Sequence, residues 1–149
     1  GDVYKRQEEG LSHSNAKIFP KSTLLIGMYD TAAMKMSILQ NEASFNQAIV
    51  GVPPNEYASS EYLYFALNYL KPLILLERRG VRQQNLSLAK IKKIEVPIPS
   101  KTEQNGIVTK LNFLTNKASS LKQNLIKRKV KLEQLKSAIL AQELQSEAA

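Results

Sequence analysis

The sequence predicts an α+β protein: a small mixed or antiparallel sheet with short helices, followed by one long C-terminal helix of coiled-coil type. Three observations carry this. Short apolar runs of strand length stand between turn residues before residue 53, and apolar residues from Ile107 onward recur on alternating steps of four and three. Between these regions lies IEVPIPSKTEQ, residues 94–104, which reads as the end of a strand and the cap of a helix.

In chain order, residues 1–16 show no periodicity and are expected to form a disordered or non-native leader. Residues 23–28 (TLLIGM) and 35–39 (KMSIL) read as strands separated by the turn-prone Tyr29-Asp30-Thr31. A third run, 44–52, ends at Pro53-Pro54, which cannot extend a ladder. Ser59 or Ser60 is placed to cap a helix whose apolar residues, Tyr62 to Leu70, have helical spacing. Pro72 predicts a kink after Tyr69 and a second short helix ending near Gly80. A helical turn is expected around residues 87–93, then a strand from Ile94 to Ile98 closed by Pro99.

Ser100 stands three residues before Glu103, the spacing of a capping box, and fixes a helix start at Lys101. A helix over residues 101–146 at 1.5 Å per residue spans roughly 65 to 70 Å. Its row runs Ile107, Leu111, Leu114, Ala118, Leu121, Leu125, Arg128, Leu132, Leu135 and Ile139, with Arg128 the one polar member. Such a seam calls for a partner helix, and a polar residue in it sets register or orientation. Gly106 in the first turns costs about 1 kcal/mol relative to Ala, tolerable where something packs closely.

The 149 residues carry a formal net charge of +8, which points to a polyanionic partner. Residues 1–100 hold 12 Lys and Arg against 9 Asp and Glu, and residues 101–149 hold 9 against 4, so the helix is the more basic part. The sequence has no cysteine, hence neither disulfide nor thiolate metal site, which fits a cytoplasmic setting. No apolar stretch approaches the ~20 residues that cross a bilayer, so no membrane partner is expected. His13 is the one histidine, and no metal-ligand spacing, phosphate-cradling glycine loop or activated nucleophile can be assembled. An enzyme is not expected.

The order of these pieces resembles the specificity subunit of type I restriction-modification systems. In that family a target recognition domain ends in a phrase like "iplPplaEQ" and is followed by a long spacer helix. Here Ile94 to Gln104 supply that phrase. LLIGMYDTAAMKMSI resembles the family's "lliamyGatiGk" hairpin, FNQAIVGVPP its "tNQaiaai.P", and GVRQQNLSLAKIKKI its "G..q.nls...lk.i". The likeness covers about residues 19–141. It departs in three ways. Family members normally carry two recognition domains and two such helices, this recognition domain starts late, and Asp30 stands where many members have Gly.

The resemblance implies a target recognition domain over residues 17–100 and a spacer or dimerisation helix over 101–146. The function it implies is non-catalytic, directing methyltransferase and restriction subunits to a bipartite DNA target. The expected partners are double-stranded DNA, a modification subunit, a restriction subunit, and a second specificity half or a second copy through the helix. No cofactor is expected in this chain, S-adenosylmethionine, ATP and Mg belonging to the partner subunits.

A DNA reader needs cations for phosphates and paired donors and acceptors for base edges. Arg78, Arg79, Arg82, Gln83, Gln84 and Asn85 supply both kinds, although a solvated helix end also accounts for Arg78 and Arg79. Tyr29, Thr31 and Lys35 on the hairpin form a second candidate group. Asn46 and Gln47 are expected to be structural, and Lys127, Arg128, Lys129 and Lys131 to form a solvated helix face, with phosphate contact the sharper alternative. The competing class is a protein-interaction adaptor, with the helix docking on a partner and the basic surface serving solubility.

Overall fold

The structure, a computed structural model, describes residues 17–29, 33–76 and 86–146. The chain divides into two compact units, residues 1–108 and 109–149. The architecture is α+β.

Strands β1 (Leu24–Gly27), β2 (Met36–Ile38) and β3 (Ile49–Val52) form a sheet of order β2-β1-β3 with both pairings antiparallel. Leu24 faces Ile38 and Val52 across the ladders, and Ile26 faces Met36 and Val50. Opposed residues share a face, so the pleat gathers these six side chains into the main core beneath Leu67, Leu86 and Ile91. On the opposite face the Phe19 and Phe45 rings stack at 4.5 Å, and a Cβ at Gly51 would stand 2.5 Å from Phe45 Cζ. Gly51 is there because two rings occupy its side-chain space. The third strand is shorter than the predicted run 44–52. Asn46 Oδ1 accepts the Ala48 N–H at 3.0 Å and its carbonyl accepts the Ile49 N–H at 3.2 Å, a turn that delays the ladder to Ile49.

Helix α1 (Ser60–Leu76) is capped by Ser59, whose hydroxyl accepts the Tyr62 N–H at 3.2 Å. The Ser60 hydroxyl instead donates to the Ser22 carbonyl at 2.5 Å, tying the helix start to the chain entering β1. The predicted kink and second helix are replaced by one helix that continues through Pro72. The lost bond to the Asn68 carbonyl costs about 3 kcal/mol, which packing of Ile74 and Leu75 on the core offsets. Helix α2 (Leu88–Lys92) starts at Ser87, whose hydroxyl accepts the Lys90 N–H.

The predicted strand at Ile94–Ile98 does not form. Pro97 and Pro99 lack N–H groups on the same edge of any ladder, and the segment's carbonyls are answered by side chains. Tyr62 donates its hydroxyl to the Pro97 carbonyl at 2.6 Å, and Gln104 donates to that of Pro99 at 2.9 Å. Val96 packs against the main core and against a second cluster of Ala58, Tyr62 and Val108. Helix α3 (Lys101–Ser146) contributes Val108 to that cluster. Gly106 is a correction, since nothing lies within 4 Å of where its Cβ would stand.

Opposite outcomes are expected at these two glycines. Gly106→Ala should stabilise the chain by about 0.5 to 1 kcal/mol in urea denaturation, and Gly51→Ala should destabilise it by about 1 to 3 kcal/mol by forcing the ring pair apart.

Candidate nucleic-acid interface

The hairpin beyond β1 is closed by two backbone bonds, Gly27 N–H to the Lys35 carbonyl and Met34 N–H to the Gly27 carbonyl, each 2.9 Å. Met34 adopts φ 56°, and its side chain is fully buried in the core, which holds a non-glycine residue in this left-handed conformation. Lys35, next along, is exposed. On the outgoing side the Met28 N–H donates to the Ala48 carbonyl at 3.0 Å, and the Met28 carbonyl accepts the Leu86 N–H at 2.8 Å. Leu86 is itself buried, at 2% exposure.

That last bond matters for the candidate residues. Met28 precedes Tyr29 and Leu86 follows Asn85 in the sequence, so this bond joins the two described residues that adjoin the candidate groups. Tyr29 is 38% exposed and presents a ring for stacking and a hydroxyl for hydrogen bonding. Arg78, Arg79, Arg82, Gln83, Gln84, Asn85 and Thr31 lie outside the described residues. From Leu86 the chain enters α2, which buries Ile91 and exposes Lys90, Lys92 and Lys93. These lysines were missed in the sequence reading, though the run Lys90-Ile91-Lys92-Lys93 was its signal. A cleft of about 370 Å³ separates Leu70 and Ile74 of α1 from Leu86, Lys90 and Ile94. Among the described residues, no group of three or more His, Cys, Asp or Glu could hold a metal, and no helix is long and apolar enough to cross a membrane.

The start of α3 is held by two devices. The Ser100 N–H and hydroxyl donate to Glu103 Oε2 at 2.9 and 2.7 Å, while the Glu103 N–H returns to Ser100 Oγ at 3.4 Å. This is the predicted capping box. The Ser100 hydroxyl, and after it the Ser100 N–H, hold the Glu103 carboxyl below its ordinary pKa. The second device, to which the sequence reading gave no role, is Gln104. Its side chain is wholly buried, its oxygen accepts the Ser59 N–H at 3.0 Å, and its amide donates to the carbonyls of Tyr57 at 2.8 Å and Pro99 at 2.9 Å. All of its strong donors and the oxygen are used. The pattern signal was present, because the helix row extends back by a step of three from Ile107 to Gln104.

Further along α3 the predicted pairing residues Ile107, Leu114, Leu121, Leu125, Leu132, Leu135 and Ile139 are exposed, Leu125 at 64% and Leu132 at 66%, with Arg128 exposed among them. Leu111 is half-buried. Phe113, Ile126, Val130, Leu140 and Leu144 are exposed as well, off the row.

A family model for the type I restriction modification DNA specificity domain matches residues 2–132. The chain belongs to that family. It is similar to the Type I restriction enzyme MjaIX specificity subunit of Methanocaldococcus jannaschii, at 29% identity over 137 residues, covering 87% of this chain and 31% of that protein. Among solved structures it is similar to a chain described under the structural basis of complex assembly and conformational transition of the type I R-M system. There the TM-score is 0.71 at 19% identity, over 83% of this chain and 30% of that one, a likeness of fold. The chain thus spans about 30% of the length of each of these two chains.

Two outcomes are expected at the start of this specificity-domain helix. Gln104→Leu keeps the bulk but strands the Ser59 N–H and the Tyr57 and Pro99 carbonyls, so urea denaturation should show a loss of roughly 3 kcal/mol or more. Glu103 has its folded pKa lowered, so its stabilisation is present above the unfolded pKa and lost as pH falls through the lower folded value. Carboxyl NMR shifts should give a midpoint for Glu103 below the ordinary glutamate range, and Ser100→Ala, which removes the hydroxyl and keeps the N–H, should bring it part of the way back.

Proposed function

We propose that the compact unit is a target recognition domain that reads one half of a split DNA target for a type I restriction-modification complex, without catalysis of its own. The observation that carries this is the match of residues 2–132 to the DNA specificity family, and the Leu86 N–H to Met28 carbonyl bond at 2.8 Å supports it by joining two residues that adjoin the candidate reading segments in sequence. On this reading Lys35, Lys90, Lys92 and Lys93 take phosphates, and Tyr29 with the Arg78 to Asn85 segment reaches base edges. Arg grips guanine and Gln or Asn grips adenine in the major groove.

Helix α3 is the spacer of the same reading. Its 46 residues at 1.5 Å each correspond to about 69 Å, and pairing through the exposed row holds two reading domains at fixed separation. Modification and restriction subunits are the partners that carry S-adenosylmethionine, ATP and Mg. The exposed row also favours the second reading, an adaptor that docks on a partner without touching DNA. DNA binding separates the two.

The experiment is selection of duplexes from a random pool by the full chain, followed by salt titration on the enriched sequence. Four phosphate contacts give a slope of log affinity on log salt of roughly −3.6. Arg82→Ala should cost about 1 to 3 kcal/mol if it grips a base, or flatten that slope by about one if it grips a phosphate. Equal affinity at low and high salt would sink the DNA reading.

A further inference from the structure

In heptad terms Leu111 occupies an a position of α3 and Leu114 a d position, and the flanking e and g positions between residues 110 and 136 are nearly all lysine. Lys110, Lys117, Lys122, Lys129, Lys131 and Lys136 fill six of them, and Thr115 and Asn124 fill the other two. All six lysines are exposed. Glu133 is the one Asp or Glu in that stretch of sequence, and it stands at b, reaching back 3.9 Å to Lys129 with both side chains mostly in solvent.

The consequence is specific to pairing. Parallel helices bring g against e of the partner, and antiparallel ones bring g against g and e against e. For two copies of this chain, either arrangement sets lysine against lysine along the seam. Like charges there oppose association, while carboxylates in the same places favour it. Arg128, exposed at a d position, adds a further cation for which the facing helix must supply an acceptor.

We propose that the α3 seam is built for a helix of different sequence, whose own apolar row is flanked by Glu or Asp, and that it disfavours a second copy of this chain. This rests on the reading of α3 as a pairing helix and names the chemistry of its partner. A nucleic acid is the weaker occupant, because phosphates laid on the lysines leave Leu121, Leu125 and Leu132 in water.

The test uses the full chain and three synthetic helical peptides of about four heptads that share a Leu/Ile row and carry Glu, Gln or Lys at e and g. Calorimetry at low salt should find the Glu peptide bound at least about tenfold more tightly than the Gln peptide, an advantage that shrinks as salt screens it. The Lys peptide should not bind. The triple variant Lys122→Glu/Lys129→Glu/Lys136→Glu, with its altered residues on solvent-facing helix positions, should lose the preference for the Glu peptide. By sedimentation the parent should remain a single chain, while the variant, carrying Glu at e against Lys at g, should gain a parallel dimer. Equal affinity for the Glu and Gln peptides would overturn the charge proposal and leave helix pairing intact. Binding of none of the peptides, with duplex affinity lost in the triple variant, would overturn both and assign the lysines to phosphates.

Discussion

The fold of the first unit depends on one buried amide. Gln104 has no exposure, and its side chain closes three hydrogen bonds to backbone groups in two other segments, Tyr57 and Ser59 before α1 and Pro99 before α3. Neither segment has a ladder to satisfy it, the first because it follows Pro53 and Pro54, the second because Pro97 and Pro99 have no N–H to give. A side chain with one acceptor and two donors therefore does what a strand partner would have done. Asn55 extends the arrangement by accepting the Tyr57 and Ala58 N–H groups, and Lys101 donates to the Asn55 carbonyl at 3.3 Å. Val108, one turn beyond Gln104, then packs on Ala58 and Tyr62. The beginning of the long helix, as far as Val108, is thus part of the first unit's own core.

A similar economy governs the far end of the sheet. β1 is central, so its neighbours occupy both edges as far as Gly27 and Met28, and the Met28 carbonyl is left to be answered by Leu86. Burying Leu86 beside Leu24, Ile26 and Met34 anchors the chain just before a short helix that shows only lysines and small or polar side chains outside Leu88. A rigid apolar base with an exposed cationic margin is what phosphate contact requires, because side-chain entropy is lost at the tip while the backbone is already fixed.

The sequence made some of this legible and hid the rest for physical reasons. Strand existence, the capping box and the bounds of α3 followed from period and spacing, which are local properties. The antiparallel sense of the sheet did not, since pairing is set by the shared core face of Leu24, Ile26, Ile38 and Val52. Pro72 misled because propensity is a local cost that packing of Ile74 and Leu75 overrides, and Ile94 to Ile98 misled because alternation alone does not supply a ladder partner. Gln104 was visible as part of a phrase and as the step before Ile107 in the helix row, but not as a partner of distant backbone. Its contacts lie 45 and 47 residues away in sequence at Ser59 and Tyr57, beyond the reach of any spacing rule.

The lysine flanks of α3 bear on the helix itself as well as on its partner. Lys127 and Lys131 are four residues apart on one face, a like-charge pair that weakens an isolated helix, and Glu133 offsets part of that through Lys129. Exposed Leu121, Leu125, Leu132 and Leu135 contribute nothing to stability until covered. A helix that is both self-repelling and unburied gains twice from an acid-flanked apolar partner, once by removing leucine surface from water and once by neutralising its own lysines. A basic or identical partner supplies only the first gain and adds to the repulsion. On the proposed pairing, the same charges that would oppose a second copy make an acid-flanked helix the more favourable partner, so selectivity and stability would rest on one set of residues.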